Sequence, residues 1–252
     1  KIFDKTEFDV DKDKILYNSI DVFRYTLGLL NLYNISTKEF ISAFEERDTH
    51  LRLQNSCNIP EENQKVVVVD IDDVVCNFRG FFNEWLKKKY NINVDPNSTS
   101  YYSSKEVKSA GLSPETVFEE FISEDMFLQI PAYSNMLDLL ENIKDQNIYI
   151  QLLTSRPENN LKCKYQTYKW LEKNKVVFDN VGFAPEKYIW LAKKDFYLKG
   201  NLIAAIDDSP KHAMEYATHD INVFVPKTSY NNNIKHKNIF HYDLDTLNKI
   251  KF

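Results

Sequence analysis

The sequence predicts an α/β protein: a mostly parallel sheet covered by helices, a helical insertion after the first strand, and a helical segment ahead of the sheet. Three observations carry this. From Lys65 onward short β-branched runs alternate with amphipathic helical stretches, the pattern of βαβ units. The interval between the first two runs is far too long for a simple crossover and carries helical periodicity. A chain of 252 residues with 43% hydrophobic content is large enough to bury a sheet on both faces.

The elements follow in order. In the stretch KILYNSIDVFRYTLGLLNLY, apolar Ile15, Leu16, Ile20, Phe23, Leu27 and Leu30 recur at helical spacing. Asn34-Ile35-Ser36-Thr37 breaks that helix and offers an N-cap to a second one, KEFISAFEERDTHLRLQ. Residues 55–64, polar and containing Pro60, read as a linker, which sets domains at 1–60 and 65–252. The strands expected are VVVVD (66–70), IYIQLLT (148–154), NVGF (180–183), LIAAIDD (202–208) and INVFV (221–225). Helices are expected over Ser134–Asp145, Leu161–Lys173 and Pro185–Leu198. The insertion contains the helical FRGFFNEWLKKKY and SPETVFEEFI and forms a cap at about 77–134. It is rich in aromatic residues: Phe78, Phe81, Phe82, Trp85, Tyr101, Tyr102, Phe118 and Phe121.

Bulk properties exclude several classes. The net charge of −5 leaves no footprint of a general nucleic-acid binder. Apolar runs fall short of the ~18–20 residues of a membrane span. Cys57, Cys76 and Cys163 are odd in number and match neither a zinc site nor a disulfide framework, so a reducing, cytoplasmic setting is expected.

Three strands end in reactive side chains: Asp70-Ile71-Asp72, Thr154-Ser155-Arg156 and Asp207-Asp208-Ser209. In a parallel sheet these ends share one edge, where such folds form their sites. Carboxylates crowded there repel one another, and a divalent cation resolves the conflict. Oxygen donors alone favour Mg²⁺ over zinc, with Asp70, Asp72, Asp207 and Asp208 as candidate ligands. Asp70 could act as a nucleophile toward a phosphoryl group. Asp72 could protonate the leaving oxygen and then activate water. Thr154 or Ser155 could hydrogen-bond a phosphoryl oxygen, with Arg156 beside them as a further substrate contact. A lysine is wanted to offset developing charge. Lys187 is best placed, because Lys193 and Lys194 lie about 9–10 Å deeper along the helix.

This ordered set resembles the haloacid dehalogenase (HAD) superfamily. VVVVDIDDVV is similar to its first motif, LLTSRP to the second, Lys187 to the third and LIAAIDDSP to the fourth, over about residues 65–226. The resemblance implies a Rossmann-like sheet, Mg²⁺ and an aspartyl-phosphate intermediate. It carries the nucleophile to Asp70, the acid/base to Asp72, the phosphate hydrogen bond to Thr154, the lysine to Lys187 and metal ligation to Asp207 or Asp208. Within the superfamily the chain resembles the 5′(3′)-deoxyribonucleotidases in its insertion, in FLQIPAYSNMLDLLENI leading into YIQLLTS, in KYQTYKWLEK and in NVGFAPEK. The expected substrate is therefore a nucleoside 5′-monophosphate, with Phe78 and Phe82 of the cap as candidates to stack on its base. The alternatives are a nucleic-acid 3′-phosphate, a sugar phosphate, or a non-catalytic binding role. Asp73 departs from the pattern, standing where that family usually has glycine. Separately, the N-terminal helices resemble half of the all-α NTP pyrophosphatases (the MazG and dimeric dUTPase group), with Asn18 in a glutamate position and Asp21 kept. The other reading of this segment is a hairpin that packs on the core or mediates homodimerisation.

Overall fold

A computed structural model describes residues 12–56, 59–95, 98, 103–194 and 201–243. Cys57, Tyr101, Tyr102 and the end of the helix expected over Pro185–Leu198 lie outside them. The chain divides into two units, residues 1–48 and 49–252. In the first, helix α1 (Lys12–Leu32) is followed by α2 (Thr37–Ser56), which runs across the division. Asn34 turns the chain at φ 53°. Ser36 then caps α2 reciprocally: its Oγ accepts from the Glu39 N–H (3.2 Å), and its own N–H donates to the Glu39 carboxylate (2.7 Å). Val22, Phe23, Tyr25 and Leu32 of α1 are exposed. No helix among the described residues is long and apolar enough to cross a membrane.

The second unit is a six-stranded sheet. Its strands are β1 (Val66–Val69), β2 (Tyr149–Thr154), β3 (Asn180–Phe183), β4 (Leu202–Ile206), β5 (Asn222–Pro226) and β6 (Ile239–Tyr242). They lie in the order β3-β2-β1-β4-β5-β6, every neighbouring pair parallel. The four valines of β1 are wholly buried, as a central strand covered on both faces requires. Their side chains alternate between two cores. Val67 and Val69 join the one containing Trp85, Phe121, Leu140 and Trp170; Val66 and Val68 join the one with Leu191, Ala213 and Tyr216.

The insertion between β1 and β2 contains α3 (Phe78–Tyr90), α4 (Ser104–Ser109), α5 (Pro114–Ser123), a 3-10 turn (Met126–Gln129) and α6 (Ser134–Asp145). Asn77 caps α3 through the Gly80 N–H (3.1 Å). Ser113 caps α5, with Pro114 pre-set for its first turn. The aromatics pack on one another. Phe78 stacks on Phe82 (5.5 Å) and Phe127 (5.8 Å), and Phe121 meets Phe82 (5.1 Å) and Trp85 (5.2 Å) edge-on. Beyond β2 come α7 (Leu161–Lys173), α8 (Lys187–Ala192) and α9 (Pro210–Thr218). Strand β6 was not expected, and α8 starts two residues later than Pro185, with Glu186 as its cap.

Candidate active site

Strands β2, β1 and β4 are neighbours, so their C-terminal ends stand side by side. Register fixes the match: Val69 is opposite Leu152 on one side and Ile206 on the other. The next residue, Asp70, donates its N–H to the Ile206 carbonyl (2.9 Å) and so continues the ladder up to the edge. Beside it, Asp207 follows Ile206. Helix α8 delivers Lys187 between them from the start of its first turn.

Lys187 is fully buried, and its Nζ lies 2.8 Å from Asp70 Oδ2 and 2.8 Å from Asp207 Oδ2. Burial favours the neutral amine, but the two carboxylates outweigh it and hold the ammonium charged. Lys194, by contrast, lies over the Trp190 ring (4.7 Å). Burial raises Asp70 to about 6 against the pull of Lys187, with Asp207 and Asp72 adding like charge. For Asp207 the burial penalty is overcome by Lys187 and His212, and its carboxyl is held below the usual range. Asp208 is pushed well above that range, first by burial and then by Asp70, Asp73 and Asp207.

Oxygens of Asp70, Asp207 and Asp208 lie within 4.8 Å of one another. One lysine does not neutralise three such groups, and like charge from Asp70, Asp73 and Asp207 adds to burial in pushing Asp208 up. The donor set is all oxygen, hard and anionic, which fits a divalent cation. The Asp72 carboxylate, expected in the same group, is not among these oxygens. Arg156 grips it with both arms, Nε to Oδ2 (3.0 Å) and Nη2 to Oδ1 (2.6 Å). Arg156, expected beside Ser155 as a substrate contact, is not in the lining of the cavity above the carboxylates. It is 1% exposed, donates to Thr167 Oγ1 (3.0 Å) and lies over the Phe127 ring (4.2 Å). Its charge is spent on Asp72.

Above the carboxylates is a cavity of about 120 Å³. Asp70, Asp72, Asp73 and Asp208 line its floor, with Ser155 at one side and Phe78, Arg79 and Phe82 of α3 on the insertion side. Thr154, fully buried, is not in the lining, and its Oγ1 accepts from the Arg156 N–H (3.2 Å). Phe78 and Phe82 are only 2% exposed, so they serve the aromatic core as well as the cavity wall.

Asp73 sits at φ 56°, in the left-handed region where a residue other than glycine is most at home if it is Asn or Asp. Its Oδ1 accepts the Arg79 N–H (2.8 Å), which helps start α3. The departure from glycine thus keeps the turn and adds a helix contact. Burial raises Asp73 to about 7, with Asp72 and Asp70 contributing.

Three lining residues escaped the sequence reading. His212 Nε2 faces the Pro185 carbonyl (3.2 Å), while its Nδ1 is 3.7 Å from Asp207 Oδ1. Tyr230 donates its hydroxyl to Asp208 Oδ2. Arg79 holds its guanidinium 4.6 Å over the Tyr230 ring. Nothing in their local sequence marks them, since each reaches the site through the topology.

Comparison with known proteins agrees with this geometry. The chain is similar in fold to a predicted phosphatase from Clostridium acetobutylicum (16% identity, TM-score 0.53), covering 74% of this chain and 97% of that one. A haloacid dehalogenase-like family hydrolase from Streptococcus pneumoniae is similar over 75% and 99% (10% identity, TM-score 0.54). A predicted phosphoglycolate phosphatase from Haemophilus somnus is similar over 74% and 97% (17% identity, TM-score 0.50). No curated protein matches the chain significantly. Residues 64–242 match the family described as 5′ nucleotidase, deoxy (pyrimidine), cytosolic type C protein (NT5C), a span that includes every carboxylate of the site. The chain is a HAD-fold phosphomonoesterase and belongs to that family.

Proposed function

We propose that the enzyme hydrolyses nucleoside 5′-monophosphates in the presence of Mg²⁺, through a phosphoryl group carried on Asp70. The observation that carries this reading is the placement of Asp70. It faces the cavity, yet its Oδ2 is fixed by Lys187 at 2.8 Å and its Oδ1 accepts the Ile71 N–H at 2.7 Å. A carboxylate held from both sides is oriented for in-line attack, so little ordering is left to be done in the transition state. Attack forms the Asp70 O–P bond and breaks the bond from phosphorus to the ester oxygen. That oxygen leaves with a proton from Asp72, and Asp72 then takes a proton from the water that hydrolyses the acyl phosphate. To do so, Asp72 lets go of Arg156 and takes up a proton from solvent before it turns to the leaving oxygen, and the proton it takes from the attacking water restores it for the next cycle. Ser155, which lines the cavity beside Ser103 and Ser209, offers a hydroxyl to a phosphoryl oxygen. Mg²⁺ held by Asp70, Asp207 and Asp208 would supply positive charge against the phosphoryl oxygens. The rings of Phe78 and Phe82 offer an apolar wall for a base on the insertion side.

The test is phosphate release from a panel of 5′- and 3′-nucleotides and sugar phosphates, with Mg²⁺ or EDTA, for the wild type and Asp70→Asn. Turnover on 5′-nucleotides that needs Mg²⁺ and vanishes in a folded Asp70→Asn variant is expected. Activity on sugar phosphates with none on nucleotides would overturn the substrate class, and an active Asn variant would overturn the covalent route.

A further inference from the structure

We propose that Tyr230 is a positioning residue that sets the Asp208 carboxylate for a divalent cation, and that Arg79 clamps Tyr230 in place from the helical insertion. This rests on the reading that the three carboxylates take such a cation.

The loop after β5 is fastened to the site from several directions. Asn231, fully buried, donates from Nδ2 to the Asp208 carbonyl (2.9 Å) and to the Pro226 carbonyl (2.9 Å). Its Oδ1 accepts the Thr228 N–H (2.9 Å). Lys227 donates its N–H to the Tyr242 carbonyl (2.9 Å), which ties the loop to β6. The neighbour of Tyr230 is thus tied through its side chain to the Asp208 carbonyl, and the phenol of Tyr230 reaches Oδ2 of that same residue. A phenol placed only to fill space needs no carboxylate partner. Here the hydroxyl is spent on one oxygen of the anionic cluster, which fixes the carboxylate's rotation about its Cβ–Cγ bond. Outer partners of this kind orient metal ligands.

Arg79 closes the other side. Its backbone N–H is held by Asp73, its Nη2 donates to the Ser98 carbonyl, and its guanidinium covers the Tyr230 ring. A cation over the ring face is attracted by the ring quadrupole and draws electron density from the phenol, which makes its hydroxyl a stronger donor. Asp73, Arg79, Tyr230 and Asp208 all line the one cavity, so the residue that replaces the family's usual glycine begins the chain of contacts that ends on Asp208.

Tyr230→Phe keeps the ring and the Arg79 contact and removes only the hydroxyl. Mg²⁺ is titrated calorimetrically into the EDTA-stripped full chain, without substrate, and the melting temperature is recorded in EDTA. Loss of an outer-sphere partner costs about 10–100-fold in metal affinity, so the Mg²⁺ Kd is expected to rise about tenfold while the metal-free melting temperature barely moves. Arg79→Met is expected to weaken Mg²⁺ binding by a smaller factor, and to add nothing in the Tyr230→Phe background. Binding by Tyr230→Phe as tight as wild type or tighter overturns the proposal. So does an Arg79→Met effect that persists in full in the double variant; if Tyr230→Phe alone unfolds, Arg79→Met decides, and an unchanged Mg²⁺ Kd in that variant overturns the proposal. A wild type that takes no Mg²⁺ overturns this inference and the metal assignment together. Failure on nucleotides with the Mg²⁺ effects intact overturns only the substrate class.

Discussion

Replacing Lys187 with methionine removes one buried cation from between two buried carboxylates and leaves the stem volume nearly unchanged. Each contact is 2.8 Å. At an effective dielectric constant of 20, a pair that close is worth about 6 kcal/mol of gross attraction. Several kcal/mol of that offsets the loss of the ammonium's hydration. Removing one partner of such a group leaves the others uncompensated, at a typical cost of about 3–5 kcal/mol. The loss is bounded because the orphaned carboxyls can take up protons, and Asp70 already stands at about 6 with the lysine present. We therefore expect Lys187→Met to lose about 3–5 kcal/mol at pH 8 in EDTA, a smaller amount at pH 5, and turnover at both. Urea unfolding followed by tryptophan fluorescence measures it, since Trp85 and Trp170 are core residues. A loss under about 1 kcal/mol, or one equal at the two pH values, would refute the claim that Lys187 neutralises this pair.

Two further expectations concern the same floor. Asp70 and Asp73 have folded pKa values raised to about 6 and about 7, from 3.8, so the folded state binds these protons more tightly than the unfolded one. Their contribution is present below pH 4 and is lost as pH rises through 6 and 7. In EDTA, the melting temperature should fall between pH 5 and pH 7.5, and Mg²⁺ should recover much of the loss at pH 7.5. A flat profile in scanning calorimetry would contradict this. At Asp73, Asp73→Ala and Asp73→Gly both lose the Arg79 N–H contact and the buried carboxyl, but only Asp73→Ala adds left-handed strain at φ 56°, so it should be the less stable of the two by about 1 kcal/mol. Equal losses in denaturant titrations would show that the turn carries no strain.

The central sheet was legible because its strands are covered on both faces and read as unbroken β-branched runs. Helices α6 and α7 were legible because their apolar residues recur at helical spacing. Strand β6 was not: IFHY is short, buries only Tyr242, and sits among polar residues at an edge. The site divides the same way. The convergence of Asp70, Lys187, Asp207 and Asp208 was legible because each stands at a strand end or helix start, and parallel topology brings those to one edge. The pairing of Arg156 with Asp72 was not legible, because the two are distant in sequence and a buried bidentate pair leaves no local trace. Arg79, His212 and Tyr230 reach the cavity through packing, which no periodicity reports. Asp73 stood out in the sequence, but its use became plain only with a backbone angle and the Arg79 amide in view.

Strand β1 lies inside the sheet, and both neighbours come from much later in the chain. Until β2 and β4 have formed, four consecutive valines present two open edges, the kind of segment that pairs with other chains. Lys65 stands immediately before them, and Asp70, Asp72 and Asp73 follow directly after. Charges flanking an apolar run are the usual restraint on such pairing. The acids that crowd the finished site at a cost in stability therefore also guard the strand while the protein is folding.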